Sequence, residues 1–124
     1  MNARETLESY GELANKLDSF QHELALCLCH AAKGTQGVER WQRRVKALQS
    51  DIRKHRRLCQ RRSGEIEQLL MTLPDETMRK VLALRYLSLL PYGEISEVLH
   101  FSLRHIYRIH HQAAARLQAM MNEV

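Results

Sequence analysis

The sequence predicts an all-α protein, with an N-terminal antiparallel helical hairpin of coiled-coil character followed by a C-terminal helix-turn-helix domain. Three observations carry that reading. Only 2 Pro and 5 Gly interrupt 124 residues, and Leu, Ala, Glu, Arg and Gln, which lose little on entering a helix, dominate the rest. Apolar residues recur at intervals of three and four over long stretches, the period of one face of a helix. The few breaks, at Gly34 to Gly37 and near Pro74 and Pro91, cut the chain into pieces of helical length. The length suits one domain, or a small domain with a helical extension, and the boundary is placed between residues 72 and 73.

The first segment runs from Arg4 to about Ala32, with Leu7, Tyr10, Leu13, Leu17, Phe20, Leu24, Leu28 and Ala31 forming a stripe narrow enough for a coiled-coil seam. Lys33-Gly34-Thr35-Gln36-Gly37 is a polar connection of the length that joins two antiparallel helices. The second segment, from Val38 to about Leu70, sets Trp41, Val45, Leu48, Ile52, Cys59, Ile66 and Leu69 at heptad spacing. His55 and Arg62 occupy the same seam, which suggests that it loosens, bends or meets a partner around residues 53 to 64, and Arg61-Arg62-Ser63-Gly64 reads as a short break after which Glu65 restarts the helix. The two stripes satisfy each other within one chain, or pair with a second chain as a homodimer through the N-terminal helices. Both arrangements use the same residues.

Charge is concentrated in this second segment. Residues 38 to 63 hold ten basic and two acidic side chains, against three and five in residues 1 to 37, and six and seven in residues 64 to 124. The run Arg53, Lys54, Arg56, Arg57 is dense enough to meet the phosphates of a nucleic acid, and an acidic protein surface would attract the same face. Some of these arginines are expected to pair across the hairpin with Glu5, Glu8, Glu12, Asp18 or Glu23.

Leu73-Pro74-Asp75-Glu76 opens a scaffold helix near Pro74, since proline suits a first turn and the acids favour the positive end of the helix dipole. It carries Met78, Val81, Leu82, Leu84 and Arg85 to about Leu87, and Ser88 to Tyr92 then turns the chain. From Tyr92 onward, Ile95, Val98 and Leu99 line one side of a short helix, with Phe101 in the turn. Ser102 caps a longer helix whose inward face is Ile106, Ile109, Ala113 and Leu117, reaching Met120 or Met121 before a frayed tail at Asn122-Glu123-Val124. With those residues inward, Arg104, Tyr107, Arg108 and His111 face outward in a band that starts at the helix N-terminus. That part of a recognition helix meets base edges in DNA.

The stretch LPDETMRKVLALRYLSLLPYGEISEVLHFSLRHIYRIHHQAAARLQ resembles region 4 of bacterial sigma factors, and more closely the C-terminal part of phage regulators of the ArpU/RinA type. Leu84-Arg85-Tyr86, Glu94-Ile95-Ser96, Ser102, Ile106, Ile109, Ala113 and Leu117 carry the resemblance, which covers about the last 50 residues. It implies promoter contact by the exposed positions after the cap, here Arg104, Tyr107 and Arg108. Two features depart from the pattern: Leu103 and Tyr107 stand where charged or polar residues are common, and His100 occupies a turn position that often holds glycine.

The remaining residues argue against other chemistry. No Gly-rich loop follows a strand, no serine sits on a nucleophile elbow, and no carboxylate pair lies by a predicted pocket, so an enzyme is not expected. His105 and His110 are five apart and do not share a helix face, while Cys27, Cys29 and His30 lack knuckle spacing, so neither metal nor cofactor is expected. Cys59 beside Arg56, Arg57 and Arg61 invites a lowered thiol pKa, without a base to use it. Three cysteines and no apolar run of spanning length suggest a reduced, cytoplasmic protein with no membrane segment.

The expected function is sequence-specific binding of double-stranded DNA in transcription regulation, of phage or prophage genes by the resemblance. Leu103, Arg104, Tyr107, Arg108 and His111 would read bases, and Ser102, Arg53, Lys54, Arg56 and Arg57 would hold phosphates. The alternative is an interaction module that binds RNA polymerase or another regulator through the same surface and the basic hairpin.

Overall fold

The structure, a computed structural model, describes residues 2–34 and 36–123. It comprises α1 (Ala3–Ala32), α2 (Val38–Met71), α3 (Glu76–Tyr86), α4 (Tyr92–Leu99) and α5 (Leu103–Asn122), with no strand among the described residues. Thr35 of the connection and Val124 of the tail lie outside the described residues. Among the described residues no helix is long and apolar enough to cross a membrane.

α1 and α2 form the expected antiparallel hairpin. Ser9 meets Arg62, Phe20 meets His55, Glu23 meets Arg44 and His30 meets Trp41, so partner numbers fall on one helix as they rise on the other. Packing groups the chain differently from a cut at residue 72. One compact unit joins Met1–Gly11 to Arg62–Val124, and the other is Glu12–Arg61.

The first unit has a continuous core. Ala3 and Leu7 of α1, Ile66 and Leu70 of α2, Leu73 between α2 and α3, Leu82 and Tyr86 of α3, and Ala113 and Leu117 of α5 are buried together. Each large aliphatic side chain removed from water there contributes about 1.5 to 3 kcal/mol. Val81 faces a second cluster made with Ile95, Ile106 and Ile109, so α3 serves both. Polar contacts fasten the edges: the Ala3 N–H donates to Gln118 Oε1 at 2.7 Å, and Arg62 Nη1 donates to Ser9 Oγ at 2.9 Å. Gly11 lies under Leu89, whose Cδ2 would stand 3.3 Å from a Cβ at that position.

The second unit is a two-helix layer. Cys27, Leu48, Ile52 and Cys59 are buried, while Leu13, Leu17, Phe20, Leu24, Trp41 and Val45 are half-buried. His30 stacks on Trp41 with ring centroids 4.6 Å apart, and the Phe20 and His55 rings meet edge to face at 5.5 Å. Of the expected cross-hairpin ion pairs, Glu23 receives Arg44 at 2.6 Å, whereas Glu8 pairs with Arg4 and Asp18 with His22 inside α1.

Four local expectations are corrected. Cys27, not Leu28, continues the seam, because the heptad spacing 13, 17, 20, 24 leads to 27 and 31, leaving Leu28 47% exposed. α2 runs unbroken through Arg61 to Gly64, since helix at Gly64 costs about 1 kcal/mol while Ile66 and Leu70 beyond it are core residues. α3 starts at Glu76 rather than near Pro74: the Asp75 carboxylate accepts from the Thr77 and Met78 N–H groups and so takes the cap position. Val98 is 54% exposed, because the inward stripe of the short α4 runs through Tyr92, Ile95 and Leu99.

Candidate nucleic-acid interface

The turn between α4 and α5 is built by local hydrogen bonds. His100 takes the left-handed conformation (φ 58°, ψ 36°) and its N–H donates to the Ser96 carbonyl, which also receives the Phe101 N–H at 3.2 Å. Ser96 Oγ donates back to the Phe101 carbonyl. A left-handed residue with a Cβ is costly, and here it closes α4 so that Ser102, in extended conformation, can cap α5. Ser102 Oγ accepts from the His105 N–H at 3.2 Å.

α5 then follows its expected register. Ile106, Ile109, Ala113 and Leu117 are buried, and Leu103, Arg104, Tyr107, Arg108 and His111 are all exposed, Leu103 and Tyr107 by a little over 40%. Arg104, Tyr107, Arg108 and His111 fall within about 100° of arc around the helix axis. No acidic residue occurs anywhere in α5, so the guanidinium groups of Arg104 and Arg108 add to the positive end of the helix dipole. Arg108 Nη2 lies 2.7 Å from His105 Nδ1, which orients the guanidinium and leaves its other N–H groups free. His105 is itself steadied by the Phe101 ring, edge to face at 4.8 Å.

Behind this face lies a polar cluster that sequence reasoning missed. His110 Nε2 is 2.6 Å from Tyr86 Oη of α3 and 3.4 Å from Tyr92 Oη at the start of α4. Burial, with His111 and Arg85 nearby, lowers the His110 pKa. Burial likewise pushes Tyr86 up to about 12. Both groups are therefore neutral near pH 7, with the Tyr86 phenol donating and Nε2 accepting. Arg85 lies 4.3 Å over the Tyr92 ring, which in turn meets Tyr107 at 4.7 Å. Tyr107 is thus packed on one side while its other side is open. The pairs 86–110 and 92–110 have no periodic signature in the chain, whereas His105 and Arg108 stand at the helical i, i+3 spacing that could have revealed their contact.

The proposed phosphate residues Arg53, Lys54, Arg56 and Arg57 are exposed in the middle of α2. Cys59, two residues beyond Arg57, is buried, and burial raises its thiol pKa, contrary to the lowering its arginine neighbours suggested.

Three helices on a shared core, with a capped, cation-bearing fifth helix turned outward, define a helix-turn-helix of the region-4 kind. Residues 69–119 match the family model described as Sigma-70, region 4, a span from the last three residues of α2 through most of α5. No curated protein and no solved structure matches the chain.

Proposed function

We propose that this protein is a sequence-specific DNA-binding transcriptional regulator that inserts the N-terminal half of α5 into the major groove. The observation that carries the reading is the outward band Arg104, Tyr107, Arg108 and His111, rimmed by Leu103, on a helix without an acidic residue inside a region-4 match. Arg104 and Arg108, one turn apart, address guanine O6 and N7 or a neighbouring phosphate, each bidentate base contact supplying roughly 1 to 3 kcal/mol of discrimination. Tyr107 offers its open edge to a thymine methyl, and the Ser102 end of the helix receives a phosphate. The likeness to ArpU/RinA-type regulators supports phage or prophage genes as targets, in the cytoplasm of a bacterial cell. A homodimer through α1 and α2 would pair two half-sites.

The test is selection of bound sequences from a random duplex library at near-physiological salt, beside an Arg104→Ala, Arg108→Ala double variant of unchanged helicity. The expected result is an enriched motif for the native protein and none for the variant. A motif that survives the double substitution overturns the assignment of this face. A second reading, docking on RNA polymerase or another regulator, is favoured by exposed Val98, Leu103 and Tyr107, which give the surface apolar area. Absence of any enriched motif, with capture of a purified polymerase subunit lost in Leu103→Ala and Tyr107→Ala, selects that reading instead.

A further inference from the structure

The buried side of α2 fixes what its opposite side presents. With Leu48, Ile52 and Cys59 inward, the helical period carries Arg43, Lys46, Arg53, Lys54, Arg57 and Arg61 to the far side, and all six are exposed. They form a ridge about 27 Å long, with Arg53 and Lys54 adjacent and the other successive cations at intervals of three, four or seven residues. Between Arg40 and Gly64 the sequence contains a single acid, Asp51, which lies half-buried on the flank. Among the described residues the ion pairs of α2 belong to Arg44 with Glu23 and Arg62 with Glu65, and none of the six ridge cations has one. Like charges repeated at i, i+3 and i, i+4 destabilise the helix that bears them. An anionic partner with regularly spaced charges removes that repulsion.

We propose that this ridge is a sequence-blind anchor for the sugar-phosphate backbone of duplex DNA, separate from the base-reading face of α5. The proposal rests on the reading of the protein as a DNA binder and adds a second contact to it. The partner is identified by what the ridge lacks as well as by its charge. A protein interface is organised around a cluster of buried aromatic or aliphatic anchors, whereas the ridge has Ala47 and Ser50 between its cations and a single exposed leucine, Leu58, on its flank. A backbone of evenly repeated phosphates needs no such anchor. Arg53, Lys54 and Arg57 of the basic run belong to the ridge, joined by Arg43, Lys46 and Arg61, while Arg56 lies about a quarter-turn round the helix from it.

The experiment measures binding of the full chain to a duplex without the selected motif as a function of salt. The comparison is an Arg53→Gln, Lys54→Gln, Arg57→Gln, Arg61→Gln variant, in which glutamine preserves helix propensity, and circular dichroism checks helicity. Each phosphate contact contributes about 0.9 to the slope of log affinity against log salt. If the ridge is the anchor, the variant's slope falls by roughly 2 to 4, with any sequence preference retained. An unchanged slope overturns the proposal, and an unchanged slope with lost binding to poly-glutamate assigns the ridge to an acidic protein. The two readings fail separately: a native protein that selects no motif yet loses slope in the ridge variant keeps the anchor and removes base reading by α5. If the four-fold variant loses helicity, Arg57→Gln alone must lower the slope by about 1, and an unchanged slope rejects the ridge.

Discussion

His110 shows how a single side chain couples the scaffold to the outward helix. Its ring accepts a hydrogen bond from the Tyr86 hydroxyl at 2.6 Å and reaches Tyr92, so α3, α4 and α5 share one polar junction beneath the Tyr107 edge. Burial lowers its pKa in the fold, which means that the folded state disfavours the imidazolium. The stabilisation from this group is complete above its unfolded pKa, near 6.5, and is lost as pH falls below that value toward the lower folded pKa. Stability measured by urea denaturation from pH 7.5 to pH 5 should therefore decline less steeply in His110→Gln than in the native protein. Equal slopes would mean that the junction tolerates the charge. This part of the site was illegible in the chain, because contacts between residues 24 and 18 positions apart depend on how three helices cross.

The helices themselves were largely legible, because their periodicity and caps are local properties. Ser102 reads as a cap from its place before an apolar period, and it accepts the His105 N–H as that place requires. Errors arose where two local signals competed. Pro74 and Asp75 both suit a helix start, and the carboxylate that satisfies two N–H groups decided it. Arg61 to Gly64 reads as a break by composition, but tertiary burial at Ile66 and Leu70 carries the helix through. That leaves Gly64 as a helical glycine with nothing within 4 Å of where a Cβ would stand. Gly64→Ala should therefore stabilise the protein by about 1 kcal/mol in chemical denaturation, through reduced backbone entropy of the unfolded chain and better helix propensity. A neutral or destabilising result would point to a required bend or a partner surface at that position.

At the scale of the whole molecule, the two units differ in how much core each can make. Of the buried apolar side chains among the described residues, Cys27, Leu48, Ile52 and Cys59 belong to Glu12–Arg61, and all the others belong to the unit built on α3, α4 and α5. A two-helix layer leaves many seam residues partly wet, as the half-buried Leu13, Leu17, Phe20 and Leu24 show. The stripe pattern was readable from heptad spacing, but spacing is blind to whether another chain completes the layer. Small units with little buried apolar area open at lower free energy than well-packed ones. Amide hydrogen exchange of the dilute protein should thus be faster in residues 13 to 30 and 40 to 58 than in α3 and the first half of α5. A rise of hairpin protection with protein concentration would show a second copy covering the exposed Leu26, Leu28 and Leu58, and would support the homodimer. Protection that instead rises on adding duplex DNA, without concentration dependence, would place the stabilising partner on the basic face of α2. Strong protection of the hairpin in the dilute, DNA-free protein would show that its thin packing does not lower its local stability.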